Sequence, residues 1–315
     1  MKVIDLHCDT IDGLVRGKSN DLRKNELMVD LEKMQKGNSL AQTFALFVDI
    51  SENKDPYKHF TKLYNKFSEE LEKNKDIIEL ATSYKEIIEN EKNNKMSAIL
   101  SIEEGAVLEG KISRLEEVHK KGVRMITLTW NHENEIGYPN FEYKHKDKGL
   151  KPFGIELISK MNELGVLIDV SHLSDGGFYD VAKYSKKPFI ATHSNARAIT
   201  NHSRNLTDDM IKILANSGGI TGINFLHAFL TDDYDKVLKQ SRIEDMIRHI
   251  KHIYNVGGID VIALGSDYDG ITSNVEMKDI SEIGKLADAL QKEKFKIDDI
   301  EKIFYKNALR IIKQI

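Results

Sequence analysis

Eight short runs of apolar and β-branched residues recur along the chain, separated by longer stretches in which apolar positions return at helical spacing. The runs are VIDLHCDT (3–10), SLAQTFALFV (39–48), MSAILSIEE (96–104), GVRMITLTW (122–130), GVLIDVSH (165–172), KPFIATHSN (187–195), GGITGINFL (218–226) and DVIALGSDYDG (260–270). Each reads as a strand. The stretches between them, such as YKHFTKLYNKFSEELEK (57–73), FGIELISKMNELG (153–165) and SRIEDMIRHIKHIYNVGG (241–258), read as amphipathic helices, several closing on glycine. Ser113 with Glu116, and Ser241 with Glu244, have capping-box spacing. Strands alternating with helices in this number predict an α/β fold, a (β/α)8 TIM barrel, with a doubly wound open sheet as the competing architecture.

Composition narrows the partners. A chain of 315 residues suits one such barrel, and with no Pro- or Ser-rich linker, repeat or low-complexity segment the expectation is a single domain over 1–315. The 46 basic and 50 acidic residues leave a net charge of -4, too balanced for a broad nucleic-acid or anionic-membrane footprint. Lysine-rich helix faces read as solvated surface. Cys8 is the only cysteine, which excludes an internal disulfide framework and fits a reducing compartment. The N-terminus lacks a signal-peptide pattern and no run approaches membrane-spanning length, so the expected location is cytoplasmic.

Barrels of this kind carry their chemistry at the C-terminal ends of the strands, and the ionisable residues fall there. The first strand ends on His7 and Asp9, the third on Glu103 and Glu104, the fifth on Asp169 and His172, the sixth on His193, and the eighth on Asp267 and Asp269. Strict alternation would point Asp5, His7 and Asp9 one way, and Leu6 and Cys8 the other. Of eleven histidines, His59, His119, His249 and His252 fall in helical patterns, and His145 and His202 in loops. The strand-end histidines and carboxylates could hold two divalent ions if one carboxylate bridges them, a centre suited to hydrolysis. A mononuclear site stays open on this pattern.

Taken together and in order, DLHCDT, LSIEEG, GVRMITLTW, LIDVSH, ATHSNARAITNHSRNLTDD and LGSDYDG resemble the membrane dipeptidase (renal dipeptidase) family of zinc peptidases, within the metal-dependent amidohydrolase barrels. The resemblance implies two zinc ions per chain, one held by His7 and Asp9 and the other by His172 and His193. Glu103 would bridge them, with Glu104 at a position often glycine in the family. It implies that Asp267 relays a proton from a metal-bridging hydroxide and that Arg204 holds the substrate carboxylate. Where mammalian members carry a substrate-binding histidine this chain has Trp130, with His132 two residues on, so both are expected at the substrate site. Leu226 stands where some relatives have tyrosine, with His227 beside it.

The implied activity is hydrolysis of dipeptides, including those with C-terminal D-residues. The alternatives are an amidohydrolase of the same fold acting on another amide or lactone, and a catalytically silent metal-binding protein. Relatives are often dimers, which leaves a homodimer open.

Overall fold

The computed structural model describes residues 1–232 and 239–314. Eight strands form the barrel: Val3–Cys8 (β1), Ser39–Phe47 (β2), Met96–Glu103 (β3), Val123–Thr127 (β4), Leu167–Asp169 (β5), Ile190–Ala191 (β6), Ile220–Ile223 (β7) and Ile262–Leu264 (β8). Every neighbouring pair is parallel, and β8 pairs back onto β1, so the sheet closes. Closure rules out the open doubly wound sheet. A short strand, Ile78–Leu80, lies beside the first half of β3, and β4 takes over that edge from Leu100 onward.

The helices follow the apolar periodicity. Pro56–Lys73, Ile112–Lys120, Pro152–Leu164, Asp175–Tyr184, Asp208–Asn216 and Ile243–Gly257 each turn buried residues such as Phe67, Leu115, Met161, Phe178, Leu214 and Ile250 toward the sheet. Neither expected capping box forms. The helix near Ser113 starts one residue earlier, after Lys111, without a side-chain cap. Ser241 sits in a two-residue strand, and Glu276 from a distant loop accepts the Ile243 N–H at 2.9 Å. Side-chain caps come instead from Asp30, Asp55, Ser83, Ser174 and Thr207, each at the start of its own helix. Among the described residues, no helix is long and apolar enough to cross a membrane.

Two apolar layers result. One lies between strands and helices; the other fills the barrel interior with Leu6, Ile99, Met125, Leu167, Ile190 and Ile220, and the C-terminal helix Asn307–Ile312 packs Ile311 and Ile312 against it. Gly222 in β7 and Gly265 just after β8 leave room for the carbonyl that follows β6: a Cβ at either would fall about 2 Å from the Thr192 carbonyl oxygen.

Strict alternation fails in β1. Asp5 pairs opposite Gln42 and Cys8 opposite Phe44, so β1 holds one residue more than β2 over this span. Partners in a parallel sheet point the same way, which puts Asp5 and Cys8 together on the helix-facing side, where Phe44 meets Phe67. The irregularity turns His7 into the mouth, as bulges at functional sites commonly do.

Candidate active site

Glu103, at the end of β3, stands among the three strand-end histidines. Its Oε2 lies 3.3 Å from His7 Nε2, and that nitrogen is 3.5 Å from Asp9 Oδ2. Its Oε1 lies 3.1 Å from His172 Nε2 and 3.5 Å from His193 Nε2. The carboxylate thus offers one oxygen to each pair. Glu104 turns away: its backbone adopts φ +99°, and its buried carboxylate accepts hydrogen bonds from Ala106 N, Trp130 N and Asn134 Nδ2. His172, Asp267 and Asp269 also hold positive φ, strained conformations that strand-end turns at functional sites tend to retain.

The tautomers leave lone pairs at the centre. Thr192 Oγ1 donates to Asp169 Oδ2 (2.6 Å), so it accepts from His193 Nδ1 at 2.7 Å; Asn131 Oδ1 accepts from His172 Nδ1 at 3.3 Å. Both Nε2 atoms are then acceptors, yet they face each other at 3.0 Å. Among the described residues, His7 Nε2 and Asp9 Oδ1 are buried without hydrogen-bond partners. Converging lone pairs and orphaned donor atoms of this kind fit divalent cations. Asp169 therefore orients a histidine through Thr192, whereas Asp5 binds Ser266 (N at 2.7 Å, Oγ at 2.6 Å) and Gln42 Nε2 (3.0 Å).

Electrostatics agree with a centre built for cations. Burial disfavours charge on His7, but Glu103 and Asp9 outweigh it and hold its pKa well above the ordinary value. Burial, reinforced by Arg204, lowers His172 to about 4 and depresses His193 as well. Burial raises Asp9 to about 8, with His7 opposing and Glu103 and Asp267 adding to the rise. Gly270 makes room for that carboxylate, since a Cβ there would sit 2.1 Å from Asp9 Oδ2.

A cavity of about 540 Å³ opens above the cluster, walled by Trp130, Phe47 and Leu226 on its apolar side and by Asp267 and Arg204 on its polar side. Trp130 packs edge-on against Phe47 at 4.8 Å. Asp267 accepts Asn224 Nδ2 at Oδ2 (2.8 Å), keeps Oδ1 3.9 Å from His7 Nε2, and burial lifts its pKa to about 6. Arg204 is 4% exposed and, among the described residues, makes only long hydrogen-bond contacts to Ser194 Oγ (3.4 Å) and the His193 carbonyl (3.3 Å), with Nε unpaired. Arg197, the neighbouring candidate, is already taken by a two-pronged pair with Asp175 at 2.7 and 2.8 Å. His132 is not part of this wall; it lies to the side, 3.4 Å from Asp49. His227 neither lines the cavity nor faces solvent, but is buried and bonded to the Gln240 carbonyl.

The family described as Membrane dipeptidase (Peptidase family M19) matches residues 1–315. The chain belongs to that family. It is 34% identical over 235 residues to an uncharacterized protein of Klebsiella pneumoniae, covering 72% of this chain and 86% of that one. It is 29% identical over 300 residues to an uncharacterized dipeptidase of Schizosaccharomyces pombe, covering 90% and 71%. Two solved structures share its fold: dipeptidase AC, a metallo peptidase of family M19 (TM-score 0.93, 24% identity, 100% and 98% covered), and a Rhodobacter sphaeroides metallo peptidase liganded with a phosphinate mimic of L-Ala-D-Ala (TM-score 0.92, 23% identity, 100% and 99% covered).

Membership of the M19 metallo-dipeptidase family implies a metal cofactor, and the donor set at the barrel mouth suits one. Four polar residues around this M19 site escaped sequence reasoning. Asn131 and Asn224 belong to none of the candidate site residues read from the sequence. Thr192 adjoins His193, where alternation predicts opposite faces. His202 looked like a plain loop histidine, yet it lines the cavity. Only its place two residues before Arg204 hinted at this.

Proposed function

We propose that the protein is a dinuclear zinc dipeptidase, with His7 and Asp9 as one ligand pair, His172 and His193 as the other, and Glu103 shared between them. One observation carries the reading: a buried cation that has no carboxylate partner among the described residues, Arg204, opens on the same cavity as a buried carboxylate–imidazole cluster. When bound, the zinc ions supply activation of the attacking water and polarisation of the scissile carbonyl.

The chain's own residues do the rest. Arg204 takes the peptide's C-terminal carboxylate, which sets the distance from that terminus to the scissile bond and limits substrates to short peptides. Asn224 fixes Asp267 Oδ2, leaving Oδ1 to accept the proton of the attacking water and return it to the amine nitrogen as the C–N bond breaks. Trp130 and Phe47 form an apolar wall that keeps bulk water from the reacting carbonyl. The Rhodobacter relative's L-Ala-D-Ala mimic supports peptides ending in a D-residue as substrates.

The test is metal content of the purified chain with turnover of L-Ala-D-Ala and L-Ala-L-Ala, before and after chelation and zinc return. About two zinc ions per chain and zinc-restored cleavage are expected. Two metals without dipeptide cleavage would shift the assignment to another amide or a lactone, and a metal-free, zinc-insensitive protein would overturn it.

A further inference from the structure

The turn that carries Arg204 presents a second donor to the same cavity. His202 Nδ1 accepts the Arg204 backbone N–H at 3.2 Å, so the neutral ring carries its proton on Nε2. The ring stays neutral because burial, reinforced by Arg204 and Arg197, lowers its pKa to about 4. Among the described residues, none accepts a hydrogen bond from Nε2.

Both side chains are held by one support. The His202 ring lies 4.5 Å from the Phe229 ring, and the Arg204 guanidinium sits 5.3 Å over the same ring. Phe229 is itself fixed, because its carbonyl accepts the side-chain amides of Asn205 (2.9 Å) and Asn195 (3.4 Å). All three residues line the cavity above Glu103. A turn that only had to shape the chain would not need a ring donor and an unpaired guanidinium Nε on the same cavity wall.

We propose that His202 is a specificity-determining residue: its Nε2–H joins the Arg204 guanidinium in gripping a free C-terminal carboxylate, so peptides ending in an amide are rejected. A carboxylate offers only acceptors to these donors, whereas an amide turns an N–H₂ toward at least one of them and leaves it unpaired. The inference rests on the dipeptidase reading.

His202→Asn withdraws the donor, since an asparagine side chain can still accept the N–H two residues on while its own N–H₂ sits nearer the backbone than the ring Nε2–H. The zinc-loaded full chain is assayed with L-Ala-D-Ala and with L-Ala-D-Ala amide, the amide followed as a competitive inhibitor where it is not cleaved. KM for the free acid should rise roughly tenfold, the worth of one hydrogen bond to a charged group, with kcat unchanged and the amide affected less than about twofold. Equal losses for acid and amide, or no loss for either, would overturn the proposal. Should the variant not fold, His202→Phe keeps the ring contact with Phe229, removes the donor and carries the same comparison. Failure of the zinc-loaded parent to cleave both L-Ala-D-Ala and L-Ala-L-Ala would instead overturn the dipeptidase reading.

Discussion

Replacing Arg204 with methionine should stabilise the protein and disable it at once. Burial lowers the guanidinium pKa from its ordinary value to about 10 even with Asp267, Glu103 and Asp169 nearby. At about 1.36 kcal/mol per pKa unit, that charge is held against the folded state by roughly 3 kcal/mol. Methionine removes this cost but also the long contacts to Ser194 and the His193 carbonyl, each worth about 0.5–1 kcal/mol, leaving a net gain of roughly 1–2 kcal/mol. The sign has a pH signature. Below pH 10 the residue is charged in both states, so the gain should be constant across neutral pH and shrink only as the parent's arginine loses its proton in the folded state.

Thermal melts of metal-free parent and Arg204→Met at several neutral pH values read the stability, and dipeptide kcat/KM of the zinc-loaded proteins reads the function. A rise of a few degrees together with a loss of about 100-fold or more in kcat/KM is expected. A variant that melts below the parent, or that cleaves dipeptides within about threefold of it, would refute the reasoning.

Asp267→Asn should keep its metals while kcat falls by about 10²–10⁴, and loss of metal from the variant would show that the carboxylate serves binding rather than proton transfer. Asp9, raised to about 8 by burial, is mostly protonated at pH 7 in the metal-free chain, so zinc must expel its proton. Calorimetry in buffers of different ionisation enthalpy should detect proton release at pH 7 and tighter binding at pH 8 than at pH 6; pH-independent affinity would count against this. Thr192→Val breaks the chain from Asp169 to His193 and should weaken zinc binding by about 10–100-fold, and unchanged affinity in a chelator competition would remove Thr192 from the metal's support.

Much of the molecule was legible in order along the chain. Alternating apolar runs and helical periods determined the α/β class and its eight strands, because strands buried on both faces and helices buried on one leave different spacings, while closure into a barrel came from the pairing of β8 with β1. The run ends then placed His7, Asp9, Glu103, His172, His193 and Asp267 at one mouth, since in a closed parallel barrel every strand delivers its C-terminal end to the same face.

Side-chain direction was decided elsewhere. The extra residue in β1 is set by its pairing with β2, so alternation within β1 could not reveal that Asp5 turns outward and His7 inward. The positive φ at Glu104 separates two adjacent glutamates that composition cannot tell apart. Partnership was also invisible: Arg197 and Arg204 are alike until Asp175, brought close only by folding, pairs with one and leaves the other free. Sequence thus determined which chemical groups reach the mouth, because strand and helix periods are local. Only the tertiary structure decided which of them stay unpaired there, because pairing depends on neighbours distant in the chain.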